Sequence, residues 1–292
     1  MVANAGAIGA TKMAAHSNRA INFIGVLFLL SKTASFYNAA PGFLLIHMTT
    51  TTNPPLLPVA GITPKEAAKS PAVVALGWLH TAKFLTTAPQ LHFLPALDVP
   101  EIAFVGRSNA GKSTCINTLT QQKQLAFASK KPGRTQHINL FSLGKQGITD
   151  AVLTDLPGYG YAAVPKADKI RWQQVMANYL VTRENLMGIV LMCDPRHGLT
   201  ELDEILLDII RPRVRDGLKF LIILTKSDKL TRAEANKALS ITKLQAGGGD
   251  VMLFSATKRK GIDEVAQLLW KWAHPNGDKS VNTADSHQAV GL

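Results

Sequence analysis

Gly106-Arg107-Ser108-Asn109-Ala110-Gly111-Lys112-Ser113, entered from the apolar run Ile102-Ala103-Phe104-Val105, is the stretch on which the reading of this 292-residue chain turns. It fits G-x-x-x-x-G-K-[ST], the phosphate-binding loop between a buried strand and a helix. The glycines let consecutive N–H groups curl into one concavity, and the helix beginning near Lys112 adds its positive end to the same anion site. Lys112 supplies a point charge for β and γ phosphates. The Ser113 hydroxyl is a hard oxygen ligand suited to Mg²⁺.

Working outward, the pattern after Pro100 alternates strand with helix, as in an α/β sheet. Strands are expected over 102–105, 137–143, 151–154, 188–193, 219–224 and 251–254, and helices over 112–119, 166–183, 201–215 (interrupted at Pro212), 231–245 and 262–272. The second and third strands, joined by Gly144-Lys145-Gln146-Gly147, read as an antiparallel pair. Residues 121–136 are mostly polar and form a basic loop, long enough to suspect of function. Gly247-Gly248-Gly249 ends a helix.

Two further loops lie at strand ends, where ligands bind in open α/β folds. Thr225-Lys226-Ser227-Asp228 follows the apolar strand 219–224. The Asp228 carboxylate can accept from the ring N–H and exocyclic amine of guanine, a pair that adenine lacks. Lys226 would lay its stem along purine and ribose, and Ser255-Ala256-Thr257 can aim a backbone N–H at the guanine carbonyl oxygen. Asp155-Leu156-Pro157-Gly158 forms D-x-x-G: Asp155 can hold a Mg²⁺-bound water, and the Gly158 N–H can approach a γ-phosphate. The Thr135 hydroxyl is the candidate second protein ligand of Mg²⁺. Contacts that exist only while the γ-phosphate is present make both loops a switch.

With these elements in place the chain resembles the TrmE-Era-EngA-YihA-Septin-like GTPases, specifically the EngB (YihA, YsxC) group. The match is carried by the phosphate loop, Lys131-Pro132-Gly133-Arg134-Thr135-Gln136, Asp155-Leu156-Pro157-Gly158-Tyr159-Gly160-Tyr161, Thr225-Lys226-Ser227-Asp228 and Ser255-Ala256-Thr257, and it spans residues 88–272. The resemblance implies a Ras-like fold with a six-stranded, mostly parallel sheet flanked by helices. It further implies slow hydrolysis of GTP to GDP with Mg²⁺, a cytoplasmic monomer acting in large ribosomal subunit assembly on precursor and ribosomal RNA, and a requirement in cell division and septation. It extends the nucleotide contacts to Pro132, Gly133, Arg134, Thr135, Gln136 and Phe254. Tyr159 stands where Ras-type enzymes carry a water-orienting glutamine, and Asn109 is implied to help hold K⁺ near the phosphates, offsetting charge that develops in the transition state.

Composition fits this reading. A hydrophobic content of 46% allows a full core, and a formal charge of +12 favours polyanionic partners. Lys166, Lys169, Arg171, Arg211, Arg213, Arg215 and Lys258-Arg259-Lys260 are basic groups outside the nucleotide site. Charge runs are usually solvated faces; ribosomal RNA phosphate is their counterpart in the family reading. Cys115 and Cys193 are too few for a disulfide framework and read as core residues. Residues 1–47, with the apolar run 21–30, are too short in apolar length to span a membrane. Translation is expected to start at Met48, and no stable membrane association is expected. A competing reading, a membrane-localised GTP-binding scaffold acting directly in septation, rests on that run. Residues 48–97 read as flexible arm and lead-in, 98–273 as the GTPase domain, and 274–292 as a disordered tail.

Overall fold

The computed structural model describes residues 70–127, 137–160 and 166–275. The expectations for residues 1–69, for the basic loop 128–136, for Tyr161 and for the tail beyond 275 fall outside the described residues.

Among the described residues seven strands form one sheet, rather than the six expected. They are β1 (Lys83–Ala88), β2 (Glu101–Gly106), β3 (Ile138–Leu143), β4 (Ala151–Asp155), β5 (Leu186–Cys193), β6 (Lys219–Leu224) and β7 (Asp250–Leu253), in the order β1-β3-β4-β2-β5-β6-β7. β3 pairs antiparallel with both β4 and β1, and β4-β2-β5-β6-β7 run parallel. The antiparallel pair read from the sequence is therefore present, and β1 is the addition. It lies at the sheet edge, largely solvated, with Phe84 and Leu85 exposed and only Ala88 buried. The lead-in is part of the sheet rather than an approach to it.

Side-chain alternation along the parallel strands divides the core in two. Ile102 and Phe104 of β2, Val190 and Met192 of β5, and Leu221 and Ile223 of β6 face one layer. That layer is closed by α1 (Pro71–Leu79), α2 (Lys112–Leu119) and α6 (Ile262–Ala273). Ala103, Val105, Ile189, Leu191, Phe220 and Ile222 face the other, closed by α3 (Lys166–Thr182), α4 (Glu201–Arg215) and α5 (Arg232–Ala246). α6 presses so closely on β5 that a Cβ on Gly188 would lie 2.3 Å from the Trp272 ring.

Local chemistry sets the helix ends. The Thr200 N–H and hydroxyl both donate to Asp203 Oδ2 at 2.7 Å, opening α4 with a carboxylate in its positive first turn. α4 runs through Pro212 to Arg215 without the expected interruption. Proline there removes a donor, but its carbonyl still accepts from the Asp216 N–H at 3.2 Å. Gly247, at φ 65°, ends α5 as expected.

At the N-terminal end of β2, Glu101 is fully buried. It accepts from the Thr154 hydroxyl (2.7 Å), Arg183 Nε (2.9 Å), Asn185 Nδ2 (3.1 Å) and the Tyr179 hydroxyl. Burial first, and then the Glu101 charge, push the Tyr179 phenol well above its ordinary range. This cluster fastens α3 to the base of the sheet, opposite the end that carries the phosphate loop.

Candidate nucleotide site

β2 ends at Gly106, where a Cβ would meet the Met192 carbonyl oxygen at 2.6 Å, so the chain can pass β5 only without a side chain. The loop then turns through Asn109 (φ 64°) and Gly111 (φ 99°) into α2. Lys112 is buried, with Nζ 2.6 Å from Asp155 Oδ1, and the Ser113 hydroxyl faces Asp155 Oδ2 at 3.4 Å. Lys112, Ser113 and Asp155, from two separate motifs, therefore meet at one point.

Backbone bonds join the D-x-x-G segment to the phosphate loop. Leu156 N–H donates to Phe104 O at 3.1 Å, Tyr159 N–H to Gly106 O at 3.3 Å, and Ser108 N–H to Tyr159 O at 2.8 Å. Leu156 and Pro157 are buried, and a Cβ on Gly158 would stand 3.1 Å from both Cα and N of Ser108. A side chain at this position would require the two loops to separate by a few tenths of an ångström. The Tyr159 side chain is buried, its hydroxyl donating to Asp203 Oδ1 at 2.5 Å. Burial, and then the Asp203 charge, raise its phenol well above the ordinary range.

The loop Thr225-Lys226-Ser227-Asp228 is tied to the same framework. The Thr225 hydroxyl lies 2.7 Å from Ala110 O and 3.1 Å from Cys193 O, while the Thr225 N–H donates to Cys193 O at 2.8 Å. Lys226, in left-handed backbone at φ 52°, places Nζ 2.9 Å from Asn109 O and 3.0 Å from Asp194 Oδ2. Its charge is thus met by protein groups. Ser227 N–H donates to Phe254 O at 3.1 Å, bringing the last strand end beside the loop. The buried Ser255 hydroxyl donates to Asp228 Oδ1 at 2.6 Å and accepts from the Lys258 N–H at 3.1 Å. That bond from Ser255 is the main reason the Asp228 carboxyl sits below its ordinary range.

Sequence reasoning placed Ser255 near the base only through its backbone and missed this side-chain role. Asp194 was also missed; its signal is a carboxylate directly following a buried parallel strand. The basic loop residues Pro132, Gly133, Arg134, Thr135 and Gln136 lie outside the described residues. Among the basic groups, Arg213 donates to Leu180 O (2.8 Å) and Arg183 O (3.0 Å), tying α4 to the C-terminal end of α3, and Arg211 pairs with Asp208. Lys258, Arg259 and Lys260 are exposed. Cys115 and Cys193 are buried core thiols, and burial pushes Cys193 up to about 12.

Residues 101–226 match the family described as 50S ribosome-binding GTPase. A probable GTP-binding protein EngB of Albidiferax ferrireducens is 89% identical over 202 residues, covering 69% of this chain and 98% of that protein. The chain belongs to the EngB family of GTP-binding proteins. The EngB proteins of Polaromonas sp. (75% identity; 77% of this chain, 91% of that protein) and Burkholderia pseudomallei (50%; 68% and 93%) are more distant relatives. A crystal structure of a probable GTP-binding protein engB aligns at a TM-score of 0.48 and 19% identity, over 60% of this chain and 99% of that one. This EngB-family chain is accordingly a GTPase of the P-loop class.

Proposed function

We propose that this GTPase acts as a nucleotide-dependent switch in assembly of the large ribosomal subunit, docking on the precursor and its ribosomal RNA as a cytoplasmic monomer, with division and septation depending on that assembly. The observation that carries the switch is the joining of Lys112, Ser113 and Asp155 at one point, zippered through Gly158 to the phosphate loop. A change at the γ-phosphate there is felt by the segment leading into α3. The ribosomal partner is supported by the family description and by the chain's formal charge of +12.

The residues fit the Mg²⁺ that this chemistry uses. Ser113 offers a hard hydroxyl beside a buried carboxylate, and among the described residues no cluster of three or more His, Cys, Asp or Glu side chains forms a protein cage. That is the pattern of an ion held largely by water and phosphate. Ser113 and Thr135 would hold it and Asp155 would orient one of its waters; the ion supplies charge that offsets the β and γ phosphates.

Lys112 binds the same phosphates, and the Gly158 N–H meets the γ-phosphate. Asp228, braced by Ser255, accepts from guanine, and the Ala256 region presents the backbone donor. With the Tyr159 side chain held in the core, residue 159 offers no group to orient water, so Asn109 helping to hold K⁺ is the proposed source of transition-state charge.

Co-sedimentation of the full chain with large ribosomal subunits tests the role. Recovery should be higher with a non-hydrolysable GTP analogue than with GDP and should fall steeply with salt. Equal recovery in both nucleotide states would remove the switch. Among the described residues no helix is long and apolar enough to cross a membrane.

A further inference from the structure

The end of β5 reaches both nucleotide-binding loops through one side chain that no motif includes. Asp194 Oδ2 lies 3.0 Å from Lys226 Nζ, and the same ammonium donates to the Asn109 carbonyl at 2.9 Å. Asn109 and Lys226 are both non-glycine residues in left-handed backbone, at φ 64° and φ 52°. Two bends that side chains rarely adopt are thus bridged by a single ammonium, and Asp194 is its counter-charge.

The carboxylate is itself held firmly. Arg196 donates to Asp194 Oδ1 from its backbone N–H (3.2 Å) and Nε (2.9 Å), and to Oδ2 from its second guanidinium nitrogen (2.6 Å). Asp194 is only 10% exposed, against 37% for Lys226 and 46% for Arg196. Burial pushes its carboxyl up, but the bonds from Arg196 and Lys226 outweigh this and hold it far below the usual carboxylate range. The counter-charge is therefore present at any pH where nucleotide binding is measured.

We propose that Asp194 is a positioning residue for guanine-nucleotide retention, clamping the guanine-reading loop to the phosphate loop by fixing the Lys226 ammonium on the Asn109 carbonyl. Nucleotide touches both loops at once, so it leaves when they separate. A clamp between them slows departure of GDP and GTP alike, since neither loop contact depends on the γ-phosphate. This link rests on the assignment of the site to guanine nucleotide.

Release of fluorescent GDP and GTP analogues from the full chain, followed by stopped flow, tests it. Asp194→Asn should release both about tenfold faster, the scale of one charge-assisted hydrogen bond. Asp194→Glu, which keeps the carboxylate, should recover most of the retention. In a Lys226→Met background the same Asp194→Asn change should add less than about twofold, because the partner is already gone. A wild-type release rate in Asp194→Asn, or equal acceleration in both backgrounds, overturns the clamp alone. Failure of the wild-type chain to bind either analogue overturns the site assignment, and the clamp with it.

Discussion

The Lys112 ammonium lies 2.6 Å from the Asp155 carboxylate, with the two side chains 7% and 0% exposed. In the proposed site an arriving phosphate draws the ammonium away from Asp155, which links nucleotide entry to the position of the D-x-x-G loop. Lys112→Ala leaves a buried charge uncompensated and should lower nucleotide-free stability by about 3–5 kcal/mol, besides abolishing nucleotide binding. Urea unfolding measures the first effect and nucleotide titration the second. Unchanged stability would mean that Asp155 draws nothing from the pair.

Base selection is proposed to depend on Asp228. Asp228→Ala should weaken GTP binding by roughly 10²-fold, as expected for loss of hydrogen bonds to a charged acceptor. Asp228→Asn should shift preference toward xanthosine triphosphate, whose 2-oxo group accepts where guanine donates. Ser255→Ala should produce a smaller loss of the same kind, because the carboxylate remains but its brace is gone. Competition binding against GTP, XTP and ATP separates these outcomes.

Tyr159 occupies the position of a catalytic amide but works in the core. Tyr159→Phe should lower stability by about 1–3 kcal/mol, the range for a buried hydrogen bond to a charged acceptor, by stranding part of Asp203. Tyr159→Gln should not accelerate hydrolysis, since the side chain at this position is buried against Asp203. A faster single-turnover rate in Tyr159→Gln would show that the segment can turn to face the phosphates.

Replacing Na⁺ by K⁺ should raise the rate of GTP hydrolysis, and Asn109→Ala should remove the difference. Equal rates in the two salts would take K⁺ out of the mechanism and leave Lys112 and Mg²⁺ as the only cationic groups assigned there.

Asp150 sets a pH dependence away from the site. It accepts from Trp78 Nε1 at 2.8 Å and lies 3.6 Å from His274 Nε2. Burial pushes its carboxyl up, but the bonds from His274 and Trp78 bring the net value below the ordinary one. A depressed carboxyl stabilises the fold fully above the unfolded value, about 3.9, and loses that contribution as pH falls through the lower folded value. Asp150→Asn should therefore lower the melting temperature at pH 7, and the gap from wild type should narrow below about pH 4. A gap of constant size across that range would mean that the carboxylate charge contributes nothing.

The parallel strands were legible because strands buried on both faces read as unbroken apolar runs: Phe220-Leu221-Ile222-Ile223-Leu224 can be little else. The nucleotide loops were legible because phosphate and guanine admit few residue types at fixed spacing. β1 was hidden because an edge strand with Phe84 and Leu85 in solvent carries no clean alternation. The Glu101 cluster was hidden for another reason: its partners Thr154 and Arg183 lie 53 and 82 residues away, and a carboxylate satisfied by tertiary contacts leaves no local trace. Asp194 and Ser255 are of that second kind. Each acts on a motif residue through space, and neither belongs to a motif.

Trp78 of α1 is wholly enclosed, its ring set edge-on to Trp270 at 5.3 Å, while β1 covers the outer side of β3. A polypeptide begun at the first nucleotide-domain strand would keep every signature residue yet expose the indole-lined face of α6 and the raw backbone of β3. Such an unguarded rim invites a second molecule to add its own strand. The smallest soluble folding piece of this GTPase therefore starts upstream of anything its signatures reveal.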